Sequence, residues 1–171
     1  GQRRLRKEQL FCYTVGLLVS LVYYLSTNIM YQQIQQIDEN IFTISDIFTR
    51  NECSQLIQRA ESIGFEAASV RTANGPQMIT QIRNNDRVVL SDTKLAADMW
   101  HRIVSFLPVI DGGHACGVDS QIRFYRYLPG QQFKRHKDGF VTNKLGQTSK
   151  LSYLVYLNND CEGGSTIFRD Y

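Results

Sequence analysis

The chain has 171 residues, 43% of them hydrophobic and 20% charged, with nine Tyr, nine Phe and three Pro. That is material for one ordinary globular domain with a short appendage, and it excludes disordered, collagen-like and disulfide-dense chains. The net charge of +3 is carried by Arg3, Arg4, Arg6 and Lys7 against Glu8; taking these from totals of 19 and 16 leaves 15 charges of each sign over residues 9–171. A neutral body lacks the basic footprint that nucleic-acid binding requires, which excludes DNA and RNA as partners.

Behind the basic flank (1–9), residues 10–31, LFCYTVGLLVSLVYYLSTNIMY, lie in a stretch without charge between Glu8 and Asp38. As a helix they would measure about 33 Å, enough for the ~30 Å hydrocarbon core of a bilayer. With cations only on the N-terminal side, the positive-inside rule predicts a signal-anchor transmembrane helix, its N-terminus cytosolic and the body lumenal or extracytoplasmic, and so a membrane partner. Tyr13, Tyr23, Tyr24 and Tyr31 would suit the headgroup region. Two alternatives compete. A cleaved signal peptide lacks a small-residue cleavage site, the first Ala being Ala60; a buried helix would leave the chain cytoplasmic. Gly1 is a poor myristoylation site, because GQRRLR ends without Ser or Thr.

Residues 32–40 read as a linker, followed by a domain over 41–171. Cys12, Cys53, Cys116 and Cys161 contain no C-x-x-C pair, which removes zinc-ribbon and thioredoxin-type sites; a lumenal body would allow a disulfide among the last three. Residues 41–47 predict a strand or strand-turn. Thr49-Arg50-Asn51-Glu52 has capping-box spacing, and Cys53, Leu56, Ile57, Ala60 and Ile63 recur at helical intervals up to Gly64. A second helix is predicted from Ser91 or Asp92 through Leu95, Met99, Trp100, Ile103 and Leu107 to Pro108. After the loop DGGHACGVDS, the runs IRFYRYL, LSYLVYLN and STIFRDY read as antiparallel strands. Helices first and strands afterwards predict an α+β fold.

His136-Lys137-Asp138 sets an imidazole and a carboxylate two residues apart, on one face of an extended chain, so both reach one cation. A further His would complete the 2-His-1-carboxylate triad that binds Fe(II) and leaves the opposite face of the ion open. Alone, H-x-D is a weak pattern that a solvated surface pair satisfies equally well.

The flanking residues sharpen it. Tyr127, Pro129-Gly130, Phe133, His136/Asp138, Tyr156-Leu157-Asn158 and Glu162-Gly163-Gly164-Ser165-Thr166, in that order and spacing, resemble the prolyl 4-hydroxylase-type Fe(II)/2-oxoglutarate-dependent dioxygenases over roughly residues 40–171. The resemblance implies an oxidoreductase on a double-stranded β-helix (jelly-roll) core that hydroxylates a C–H bond, peptidyl proline among the candidates, in a peptide or small-molecule substrate. It implies Fe(II), 2-oxoglutarate and O2, with L-ascorbic acid as reductant. His136 and Asp138 match metal ligands; Tyr127, Tyr156 and Thr166 match positions that contact 2-oxoglutarate. Both tyrosines also read as core residues with a polar tip. Arg83, Arg87, Arg123 and Arg126 read equally as substrate contacts or as ion-pair partners.

The pattern breaks at the family's second iron-binding His and the Lys or Arg some ten residues after it, which this sequence lacks. His101 falls in the predicted second helix and His114 in the loop before the strands. The strands up to Tyr171 amount to about half of the β-helix, so a C-terminally incomplete dioxygenase domain is expected. The alternatives are a degenerate module that binds without catalysis and a cupin-like or lectin-like domain in which H-x-D is incidental.

Overall fold

The computed structural model describes residues 12–21, 33–72, 75–77 and 79–168. Its elements in chain order are β1 (Cys12–Leu21), β2 (Ile34–Asp38), β3 (Ile41–Ile44), α1 (Arg50–Ile63), β4 (Glu66–Ala67), β5 (Val70–Thr72), β6 (Gly75–Gln77), β7 (Asp86–Ser91), α2 (Thr93–Ile103), β8 (Cys116–Val118), β9 (Gln121–Tyr127) and β10 (Leu151–Tyr156).

Both helices start where their caps dictate. The Thr49 hydroxyl accepts from the Glu52 amide at 3.2 Å and the Glu52 carboxylate accepts from the Thr49 amide at 2.7 Å, a complete capping box. Gly64, at φ 95°, ends α1 in a conformation that disfavours any residue with a Cβ. Asp92 caps α2 by accepting from the Leu95 amide at 2.9 Å. The expected run to Pro108 is a helix only to Ile103; Val104–Phe106 tighten into a 3-10 turn and Leu107 is extended, the conformation a following proline favours. Residues 165–168 of the expected last strand are not in a strand; nothing pairs with them as a ladder, and Ile167 and Phe168 are exposed.

Six strands form one antiparallel sheet in the order β10-β1-β9-β7-β4, with β8 also paired to β1; β2–β3 and β5–β6 are separate hairpins. The centre of the sheet corrects the expected membrane anchor. Cys12–Leu21 is not part of a helix but a strand bonded along one edge to β10 and along the other to β9 and β8. An unbroken apolar run rich in Leu and Val satisfies a central strand as well as a helix, and periodicity alone does not separate the two. Among the described residues no helix is long and apolar enough to cross a membrane, which overturns the predicted single-pass topology. The remainder of the predicted span, residues 10–11 and 22–31, lies outside the described residues.

Register decides which side chains share a face. Arg87 pairs with Tyr125 and Val89 with Arg123; Thr14 pairs with both Tyr125 and Tyr156, Gly16 with both Arg123 and Leu154, and Leu18 with Ser152. Opposed residues point the same way and alternate residues return to it, so Ser152, Leu154, Tyr156, Arg123, Tyr125, Tyr127, Arg87 and Val89 lie on one face. The other face supplies Val88, Ile122 and Phe124, which pack with Leu56 and Ala60 of α1 and Met99 of α2 into the main core. Arg102 ties the two helices: its guanidinium meets Glu52 at 2.6 Å and Asp98 at 3.0 Å and donates to the Ile47 carbonyl at 2.7 Å. The Arg102 hydrogen bond, with that from the Thr49 amide, holds the Glu52 carboxyl down at about 2.

Candidate functional site

The site begins at the end of β9, where Leu128-Pro129-Gly130-Gln131 form a turn closed by the Gln131 amide on the Leu128 carbonyl at 2.9 Å. Pro129 presets φ for the first central position and Gly130 supplies φ 81° at the second, the residues a type II turn demands. The turn sends the chain back along residues 82–85. There the Asn84 side chain accepts from the Gln132 amide at 2.7 Å, Arg83 and Phe133 form a β-bridge, and the Lys134 amide donates to the Ile82 carbonyl at 2.8 Å.

This staple positions a four-layer stack. The Arg83 guanidinium lies 4.4 Å from the Tyr125 ring centroid and 4.1 Å from that of Phe133, and the His136 imidazole stacks on Phe133 at 3.6 Å with an interplanar angle of 15°. His136 Nδ1 lies 2.8 Å from the Lys134 carbonyl oxygen. A carbonyl only accepts, so Nδ1 carries the proton, and in the neutral ring the lone pair is left on Nε2. That is the tautomer a metal-binding histidine uses.

His136 Nε2 and Asp138 Oδ1 are 3.2 Å apart. Two donors each about 2.1 Å from one cation at a right angle lie about 3 Å from each other, so the pair fits adjacent corners of an octahedral or facial site. The other Asp138 oxygen accepts from the Ser152 hydroxyl on β10, which orients the carboxylate. His136 and Asp138 are 38% and 59% exposed, so they meet a cation directly from solvent and the described residues provide little exclusion of water. Beside Asp138 is an open hollow of about 150 Å³ lined by Phe140 and Ser149–Ser152, below the ~300 Å³ of usual ligand pockets.

The other predicted residues fall on the same face without closing on the pair. Tyr156 and Thr166 hydrogen-bond each other through their hydroxyls. Tyr156 lies four residues, about 13 Å, along β10 from Ser152. Tyr127 ends β9 on that face, two residues beyond Tyr125. His101 is exposed on α2 and His114 in the loop before β8; among the described residues no group of three His, Cys, Asp or Glu converges on a cation site. Cys53, Cys116 and Cys161 are free thiols, so the disulfide that a lumenal body would have allowed among them is not formed. Ser152 was not foreseen, although its place four residues before Tyr156 in an alternating strand carried the signal. The role of Arg83 in the stack had no local signal at all.

Comparison with known proteins finds distant relatives. The chain is distantly similar to two proteins of Arabidopsis thaliana. It is 31% identical over 123 residues to probable prolyl 4-hydroxylase 6, covering 70% of this chain and 38% of that protein. To prolyl 4-hydroxylase 2 it is 26% identical over 136 residues, covering 75% of this chain and 43% of that protein. The chain thus spans about two-fifths of the length of these relatives. No family model matches it, and no solved structure does.

Proposed function

We propose that this chain carries part of an Fe(II)- and 2-oxoglutarate-dependent dioxygenase that hydroxylates a C–H bond in the manner of a prolyl 4-hydroxylase, peptidyl proline being the first substrate to try. The convergence of His136 Nε2 and Asp138 Oδ1 at 3.2 Å carries this reading. The similarity to two prolyl 4-hydroxylases supports it, and the sheet is then one half of a double-stranded β-helix.

His136 and Asp138 would hold the iron, with Lys134 fixing the imidazole tautomer and Ser152 the carboxylate. Iron with 2-oxoglutarate and O2 would supply the oxidation of the C–H bond, and ascorbate would keep the metal reduced. Tyr127, Tyr156 and Thr166 offer hydroxyl donors to the carboxylates of 2-oxoglutarate, whose lone pairs need partners once removed from water.

A second reading has its own observation. Two protein donors hold Fe(II) less firmly than three, and no third converges among the described residues; a module that binds without turnover fits that. Succinate release from 2-oxoglutarate, dependent on Fe(II) and ascorbate, separates the two. The dioxygenase releases succinate and His136→Ala abolishes it; unchanged release in that variant refutes the site, and a wild-type chain that binds 2-oxoglutarate without releasing succinate is the binding module.

A further inference from the structure

The same face of the sheet carries an accumulation of positive charge that the metal pair does not explain. Of the four arginines that the sequence offers as substrate contacts, Arg126 is a structural partner, bonded to Asp86 and Glu61 at 2.9 Å each. Arg83, Arg87 and Arg123 are different. Among the described residues none of them forms an ion pair with a carboxylate.

Arg83 is 5% exposed and uses its Nε on the Asn85 side chain at 2.7 Å, leaving Nη2 buried with no hydrogen-bond partner. The Tyr125 and Phe133 rings cover the faces of its guanidinium but cannot accept from the N–H groups at its edge. Arg87 has only a 3.4 Å bond to the Ser69 hydroxyl. It lies opposite Tyr125, the ring beneath Arg83, and Arg123 is its diagonal neighbour on β9, a spacing of about 7–8 Å. Burial and then the Arg83 charge lower the Arg87 pKa, and Arg123 adds to this against Tyr125 and Glu66. Arg83 and Arg123 both repel Arg87, Glu66 opposite it on β4 offsets less than either adds, and a buried guanidinium with an unbonded Nη2 is costly unless an anion joins it.

We propose that Arg83, Arg87 and Arg123 form a carboxylate-binding subsite, one aromatic ring away from His136. The subsite rests on the dioxygenase reading only for its role, since the carboxylate would belong either to 2-oxoglutarate or to an acidic residue of the substrate peptide. Guanidinium groups suit this ligand because they donate paired, parallel hydrogen bonds to two oxygens and stay charged at any working pH.

The test measures binding without iron, so it stands apart from turnover. The side-chain Nε–Hε resonances of the arginines are followed by NMR while 2-oxoglutarate, a glutamate-bearing peptide or the same peptide with glutamine is added. Both carboxylate ligands, or one of them, should move the Arg87 and Arg123 signals, less strongly at high salt, and the glutamine peptide should not. Arg87→Gln and Arg123→Gln should each weaken the binding roughly tenfold. Arg83→Lys, which keeps the charge but loses the planar fork, should weaken it too while the Val88 and Ile122 methyl signals report an intact sheet. If saturating 2-oxoglutarate displaces the peptide, the carboxylate is the cosubstrate's; if the peptide binds unaffected, it is the substrate's. Signals that stay fixed with every carboxylate, or a double Arg87/Arg123 variant that binds like the wild-type chain, would overturn the subsite. Carboxylate binding by a chain that releases no succinate once Fe(II) and ascorbate are added would instead refute the dioxygenase reading and leave the subsite standing.

Discussion

The two faces of the central sheet are made by the same strands and do opposite work. On β9, Ile122 and Phe124 are sealed beneath α1 and α2, Phe124 at 1% exposure, whereas on β10 Tyr156 of the open face is 47% exposed. The covered face is mainly apolar, its charged Asp86 and Arg126 being paired with each other. The open face carries hydroxyls, cations and, at its rim, the His136–Asp138 pair. Side-chain alternation lets a strand spend every second residue on stability and the others on chemistry, so a change on one face leaves the other largely intact.

The contrast can be broken most severely at the His136–Asp138 pair proposed to hold the metal. His136→Ala should remove 2-oxoglutarate-dependent succinate release entirely while the thermal midpoint, followed by circular dichroism, stays within a few degrees of wild type, because the ring is exposed and its loss opens no cavity. On the covered face the outcome reverses: Phe124→Ala should cost about 3–5 kcal/mol in denaturant unfolding, the usual toll for emptying a buried aromatic site. A loss under ~1 kcal/mol would mean that the helices do not seal that face.

Arg102 and Glu52 give a smaller and pH-dependent effect. Since the folded Glu52 carboxyl titrates at about 2 against an ordinary 4.5, its contribution is complete above pH 4.5 and fades as the pH falls towards 2. Glu52→Gln should therefore unfold more easily than wild type by roughly 1–2 kcal/mol at pH 7, cap included, and the gap should close in acid. A gap that is constant with pH would show that Arg102 does not hold this carboxylate. Ser152→Ala, which frees one Asp138 oxygen, should weaken Co(II) or Fe(II) binding by about tenfold with little change in stability. Smallest of all, Val89→Thr on the open face should shift stability by no more than about 0.5 kcal/mol.

Much of this arrangement was legible in the chain. Thr49, Glu52 and Gly64 bound α1, and Asp92 starts α2, because caps act on backbone groups within one turn. The H-x-D pair was legible for the same reason, its two donors being only two residues apart in the chain. The apolar run at residues 10–31 reads as a membrane span, yet its described part, Cys12–Leu21, is a strand, because hydrophobicity states that a segment avoids water, not which structure hides it. The expected strand at 165–168 failed because β-propensity yields a strand only where a partner edge is available.

By itself the sequence determined the start of both helices, the end of α1, the Pro129-Gly130 turn, the strand character of β9 and β10 and the H-x-D pair proposed to hold a metal, all set by interactions within a few residues of the chain. Only the tertiary structure decided that residues 12–21 lie at the centre of the sheet, that Ser152 orients Asp138, and that Arg83 stacks behind His136 beside Arg87 and Arg123. Those relations join residues from 14 to more than 130 positions apart, and strand register and packing, which no local pattern encodes, bring them together.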